Sequence, residues 1–229
     1  MYQLHIANKN YSSWSLRPWV LMKTLAIPFT ETLHRFQSAN NHDDFHLFSP
    51  SGRVPTLHDG ALVVWDSLGI IEYLAETHAG VWPEPYQARA WARCAAAEMH
   101  SGFNELRSLC PMNCGARVRL PAIPPSLQDD LTRLDELWQQ GLSAFGGPFL
   151  AGPTFSAVDA FFAPVVFRIQ TYDLPLSSAA VAWCQHMLAL PAMTQWYRDA
   201  LAEPWREASH EAETVSRGVI INDLRGRAG

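Results

Sequence analysis

Apolar and polar positions change period several times in the first eighty residues. Leu4-His5-Ile6-Ala7 reads as a short strand, and Leu16 to Ala26 continues at helical spacing. Phe29 to Phe36 alternates with period two, as a half-buried strand does. A polar helix or loop is expected from Asn40 to Leu47, then a turn at Ser49-Pro50-Ser51-Gly52. Two further short strands, Pro55 to Asp59 and Ala61 to Trp65, meet across Asp59-Gly60, a dipeptide that accepts the positive φ of a tight hairpin. A helix from Ser67 to Thr77 keeps Leu68, Ile71, Leu74 and Ala75 on one face. The order, βαβ followed by αββα, predicts a small mixed sheet with helices on it.

The texture changes at residues 79–85, where two prolines and a glycine mark a linker. Beyond it only helical patterns are legible. Tyr86 to Leu109 is rich in Ala and Arg; Leu127, Leu131, Leu134, Leu137 and Trp138 recur at helical spacing, as do Val181, Cys184 and Leu188. Pro191 stands where a helix-starting proline belongs. The expected organisation is an α/β domain over 1–78, a linker over 79–85 and an all-helical domain over 86–229.

Composition narrows the function. The chain is 48% hydrophobic and 17% charged, enough to bury a sizeable core. Its 17 Lys+Arg against 22 Asp+Glu leave −5, which disfavours nucleic acid as a partner. The first residues read as neither a signal nor a transit peptide, and no apolar run is long enough for a membrane span, so a cytoplasmic location is expected. The four cysteines form no Cys-x-x-Cys, and no His or Cys follows Cys110 and Cys114 at zinc-like spacing, so neither a dithiol centre nor a metal is expected. The nine tryptophans read mainly as core and interface mass.

Three stretches carry candidate chemistry. Pro55 opens a strand, where its missing N–H costs nothing. A cis Val54-Pro55 bond would turn the preceding N–H and C=O outward for an extended ligand, but trans is the default for an X-Pro bond. Asp66-Ser67 stands where a strand becomes a helix. Both residues are good caps; the same geometry would hold a ligand carboxylate at Ser67 and the helix amides, with Asp66 against an ammonium. That combination suits an α-amino acid group. Ser156 and Asp159 have the spacing of a capping box.

Taken in order and separation, Ser12-Ser13 before a helix, Val54-Pro55, Asp66-Ser67 and Ser156/Asp159 resemble the glutathione transferase superfamily across nearly the whole chain. The resemblance implies a thioredoxin-like first domain, an all-helical second domain that lines an electrophile site, glutathione as co-substrate, no metal, and a homodimer. The "SSWSLR" of residues 12–17 is similar to the Ser-Ser-Cys-Ser-x-Arg of zeta-class members, which implies Ser12 as the thiol-activating group with Ser13 beside it. Tyr11 is the other hydroxyl to consider, since further classes use tyrosine. Trp14 stands where zeta and beta relatives carry cysteine, which argues against mixed-disulfide chemistry there. Arg17 is expected over the site, against a substrate carboxylate, or in a salt bridge. Arg53 would meet the glycyl carboxylate or point to solvent, with His34 and Gln37 as weaker candidates for that end. The stretch Ser108 to Arg117, interrupted by Pro111, is expected either to line the electrophile site, with Met112 and Asn113 as its contacts, or to serve only as helix-breaking packing, and His42 and His46 are expected on a solvated face. The activity implied is thiolate attack on a hydrophobic electrophile; a glutathione-dependent isomerase of the maleylacetoacetate type, or a non-catalytic glutathione-binding protein, are the alternatives.

Overall fold

The chain is described here by a computed structural model covering residues 1–37 and 41–226. Asn40, the first residue of the expected polar segment, and residues 227–229 lie outside the described residues.

The first part of the chain runs β1 (Tyr2–Ala7), α1 (Ser13–Thr24), β2 (Phe29–His34), α2 (His42–Phe45), β3 (Thr56–Asp59), β4 (Leu62–Trp65) and α3 (Ser67–Ala75). The four strands form one mixed sheet in the order β2-β1-β3-β4. The β1 and β2 strands are parallel, joined by α1 as their crossover, and β3 and β4 pair as an antiparallel hairpin. Gly60, with φ +59°, supplies the left-handed residue at its tip. Helix α1 is buried from Ser15 to Met22 with no polar face, because it packs on β1 and α3 on one side and on helices of the second half on the other.

The second half contains α4 (Tyr86–Ser101), α5 (Asn104–Leu109), β5 (Ala116–Arg119), α6 (Pro125–Phe145), α7 (Ala157–Tyr172), α8 (Ser178–Leu188), α9 (Pro191–Ala202), α10 (Ala208–Arg217) and β6 (Val219–Asp223). It is helical as expected, with two differences. The run from Tyr86 to Leu109 is two helices, broken where Phe103 takes φ +55°. The second difference is an antiparallel ribbon of β5 and β6, which joins segments about a hundred residues apart. The axis of this half is α7, whose Phe161, Phe162 and Phe167 are fully buried. Each such side chain stabilises the fold by roughly 1.5–3 kcal/mol. Ser156 and Asp159 form the expected capping box at its start, and the Asp159 carboxylate accepts from the amides of Ser156 (3.0 Å) and Leu150 (2.9 Å). Burial pushes the Asp159 carboxyl up to about 7, against the pull of those amides.

The helices of the second half also fix the turn between β1 and α1. The buried Lys9 ammonium bridges Glu31 and Asp199, each at 2.9 Å, and its amide donates to Glu203 at 2.6 Å. Trp196 Nε1 donates to the Lys9 carbonyl at 2.9 Å. Asn10 donates to Asn113 Oδ1 at 2.9 Å, while the Cys114 amide donates to the Asn10 carbonyl. The residues leading into α1 are therefore held from both halves of the molecule.

Candidate active site

A cleft of about 610 Å³ lies between the two halves. Tyr11 to Trp14, Arg17 and Gly52 to Val54 line it from the sheet side, and Met99, Arg107, Pro111, Met112, Arg168 and Glu213 from the helical side. The candidate residues of the opening turn converge there, and they differ in what they are free to do.

Ser12 is the N-cap of α1 and is 5% exposed. Its hydroxyl makes no capping bond to the helix amides; it lies 2.7 Å from Ser15 Oγ, which in turn accepts from the Ala7 amide at 3.2 Å. The first bond of the helix runs from the Leu16 amide to the Ser12 carbonyl, so the Trp14 and Ser15 amides precede it and have no intrahelical acceptor. Ser13, partly exposed, begins the helix, and its own amide is turned back to the Tyr11 carbonyl at 2.9 Å. The Tyr11 ring lines the cleft, but its hydroxyl donates to Glu211 at 2.5 Å and accepts from Arg225 at 3.1 Å. Burial, and then the bond to Glu211, push its ionisation well above the usual phenol range. Arg225 also bonds Asp223, so the C-terminal segment clamps the turn. Gly115 makes room for this: a Cβ there would collide with the Arg225 side chain.

Trp14 packs against two cations. The Arg17 guanidinium lies 4.2 Å and that of Arg107 4.9 Å from the centre of its ring, with His100 edge-on. Arg17 is 3% exposed, touches Phe161 at 4.9 Å and donates to Ser67 Oγ at 3.3 Å; its Nε has no partner. Burial, then the fields of Arg107 and Arg168, hold its pKa far below the usual arginine value, with Asp66 acting in the opposite sense. Arg168 is likewise buried, and burial followed by repulsion from Arg107 brings it down to about 10.

On the sheet edge, Val54-Pro55 is cis, not the default trans, and among the described residues Val54 enters none of the loop and cap backbone hydrogen bonds. Gly52, at φ +62°, lets the chain pass against His42, whose Cδ2 would lie 2.7 Å from an added Cβ. Asp66 caps α3 through the Leu68 amide at 2.8 Å, and holds the unusual φ of +70°. Ser67 is fully buried behind the lining of the cleft, where its Oγ accepts from Arg17.

Several expected lining residues lie elsewhere. The Asn113 amide does not face the cleft; it is buried against Asn10 and Thr214 and supports the turn. His34 is stacked on Phe48 and bonded to His5 at 2.8 Å, and Gln37 does not line the cleft. His42 and His46 are exposed, as expected of a solvated face, although His42 also borders the cleft, and Met112 is where it was expected. Arg107 and Arg168 went unnoticed in the sequence, although Arg168 interrupts the apolar run of α7 and so carried a signal. Burial pushes the Cys110 thiol up to about 12, which leaves it a poor nucleophile of its own.

Comparison with known proteins fits this geometry. Residues 11–77 match the glutathione S-transferase N-terminal domain and residues 90–199 its C-terminal domain. Among curated relatives, a probable maleylacetoacetate isomerase of Vibrio cholerae is 29% identical over 179 residues, covering 71% of this chain and 79% of that protein. Mouse glutathione S-transferase theta-1 is 27% identical over 209 residues, covering 86% of this chain and 82% of that protein. Among solved structures, glutathione S-transferase unclassified 2 from Bombyx mori shares the fold at TM-score 0.70 and 19% identity, covering 95% and 99% of the two chains. The theta-class enzyme of Xanthomonas axonopodis pv. citri, solved with glutathione bound, does so at TM-score 0.63 and 22% identity, covering 86% and 96%. With both of the family's domain models matched over most of the chain, the chain belongs to the glutathione S-transferase family.

Proposed function

We propose that this protein binds glutathione on the sheet side of the cleft and transfers its sulfur to an electrophilic carbon. The glutathione main chain pairs with the free backbone of Val54. Asp66 takes the γ-glutamyl ammonium, while Ser67 and Arg17 take the adjacent carboxylate. Arg53 meets the glycyl carboxylate. The thiol then lies at the start of α1, where the Ser12 hydroxyl and the Trp14 and Ser15 amides stabilise the thiolate.

The magnitudes suffice. A cysteine thiol ionises near 8.5, and lowering that by about two units takes roughly 2.7 kcal/mol of preferential anion binding. A helix N-terminus supplies about 0.3–1 kcal/mol and a hydroxyl bond to an anion about 1.5–3. The observation that carries the reading is the buried Ser12 hydroxyl, which leaves the helix amides uncapped and bonds only to another hydroxyl. Rotation of both hydroxyls lets Ser15 donate to Ser12 and Ser12 donate to sulfur. Ser13 is the neighbouring alternative; Tyr11 is disfavoured because its hydroxyl is already donated to Glu211.

A second reading is supported by the relatives named maleylacetoacetate isomerase and by the buried Arg17: glutathione adds to a double bond, the adduct rotates and glutathione leaves. Trp14 in place of cysteine weakens it. We further propose that residues 1–78 form the glutathione-binding domain, 79–85 the linker and 86–229 the electrophile domain, and that the protein is a cytoplasmic homodimer. Among the described residues no helix is long and apolar enough to cross a membrane. Calorimetric titration with glutathione tests binding, and absence of heat removes both enzymatic readings. Turnover of 1-chloro-2,4-dinitrobenzene against maleylacetone then separates them.

A further inference from the structure

The cleft carries more positive charge than glutathione needs. Arg17, Arg53, Arg107 and Arg168 line it, and among the described lining residues Glu213 is the one carboxylate. Glu213 faces a different partner, Arg217, at 3.6 Å. The ion pairs of the described residues engage Arg93, Arg133, Arg198, Arg206, Arg217 and Arg225, but none of Arg17, Arg107 and Arg168. Arg17 and Arg168 are buried and Arg107 is half-buried, and the fields of Asp66 on Arg17 and of Asp130 on Arg107 offset only part of the cost of holding them there.

The three do not serve one end of one ligand. Arg17 is tied to Ser67, on the glutamyl side. Arg107 comes from α5, where its Nη2 donates to the Met99 and His100 carbonyls, at 2.8 Å for the latter, while Nε and Nη1 have no hydrogen-bond partner among the described residues. Arg168 comes from α7 and is held by one bond, Nε to the Cys110 carbonyl at 2.9 Å, so its terminal nitrogens have no partner among the described residues. Both belong to the helical half, with Met112 and Pro111 beside them in the lining. A planar guanidinium fixed at Nε presents the paired N–H groups that a carboxylate accepts.

We infer that Arg107 and Arg168 form an anion subsite for the second substrate, so that the preferred electrophile carries a carboxylate beside its apolar body. This rests on the glutathione transferase reading, and replaces its purely hydrophobic electrophile with an anionic one. For a carboxylated aryl chloride the step balances. The thiol proton has left to solvent, the sulfur–carbon bond forms, the carbon–chlorine bond breaks, and chloride departs with the electron pair. The carboxylate, seated on the arginines, is unchanged.

The test compares 4-chloro-3-nitrobenzoate with its neutral isostere 4-chloro-3-nitrobenzamide, and the glutathione conjugates made from each. The intact protein should bind the carboxylated conjugate at least tenfold more tightly than the carbamoyl one by calorimetry, and show a matching preference in kcat/KM. In Arg168→Gln and in Arg107→Gln that preference should fall to within about threefold of unity, and Arg168→Lys should restore part of it. Circular dichroism and melting curves confirm that each variant is folded. Equal binding of the two conjugates by the intact protein, or a preference that survives both glutamine variants, overturns the subsite. Failure of the glutathione reading is seen separately, as no heat with glutathione alone; tight conjugate binding without turnover leaves the subsite standing and removes catalysis.

Discussion

Arg17 is placed where it lowers the stability of the empty protein. Removing a guanidinium from water costs several kcal/mol even after relaxation. What it regains is limited: contact with Trp14 and Phe161, each cation–π pair contributing about 0.5–2 kcal/mol, and a bond of 3.3 Å to Ser67 contributing about 1. Its Nε has no partner, and Arg107 and Arg168 repel it. Those gains come to about 2–5 kcal/mol, the same order as the desolvation cost, and repulsion from the two arginines, which outweighs the pull of Asp66, leaves a deficit of about 1–3 kcal/mol. Arg17→Met, which keeps an apolar stem against Trp14, is therefore expected to stabilise the ligand-free protein. For a chain of this size about 2–4 °C accompanies each kcal/mol, so melting should rise by roughly 2–12 °C. Glutathione should lose a charge-assisted bond of about 1.5–3 kcal/mol, a rise in Kd of roughly 10- to 150-fold. Differential scanning calorimetry with and without glutathione reads both numbers. A melting temperature that falls, with glutathione affinity unchanged, would show Arg17 to be a structural residue and refute the reasoning.

Tyr11→Phe should leave the pH–rate profile in place while removing a bond from the C-terminal clamp; a rise in the kinetic pKa of a full unit would return Tyr11 to the chemistry. The clamp should loosen in acid. Burial acts to raise the carboxyls of Glu211 and Asp223, but their bonds to Arg225 win, holding Glu211 below its usual range and Asp223 at about 2. Groups with depressed folded pKa values stabilise fully above their unfolded values of about 4, and that contribution is lost as pH falls toward 2. Hydrogen exchange at the β6 amides should therefore accelerate, beyond its intrinsic pH dependence, between pH 4 and 2; constant protection would contradict the assignment. Asp159→Ala strands the buried amides of Leu150 and Ser156, and should cost about 2–4 kcal/mol in urea unfolding, with a loss below 1 kcal/mol counting against the capping box.

What the sequence made legible was local. The hairpin at Asp59-Gly60, the start of α3 at Asp66-Ser67 and the capping box at Ser156 and Asp159 are each written within a few residues, and each stands in the structure. The ribbon of β5 and β6 was not legible, because Ala116–Arg119 is too short to show a period and its partner lies a hundred residues on. The arginines were missed for a related reason. On a helix an Arg reads as a solvent-facing residue, and only the packing of α5 and α7 against the cleft turns Arg107 and Arg168 inward. Tyr11 and Asn113 show the reverse case: polar groups that looked chemical from their position are spent on Glu211, Arg225, Asn10 and Thr214, partners that only the tertiary fold supplies. Trp14 is the residue that departs from the pattern the resemblance implied, and in the structure its ring packs against two guanidiniums.

The central claim is that a hydroxyl at the start of α1 makes the bound thiol acidic. Ultraviolet difference titration of the glutathione complex, following thiolate absorbance from pH 5 to 10, measures this directly. The account predicts a bound-thiol pKa near 6.5, about two units below the free value, rising by one to two units in Ser12→Ala. A bound thiol that titrates near 8.5 in the unaltered protein, or a lowered value that Ser12→Ala leaves where it was, would contradict it.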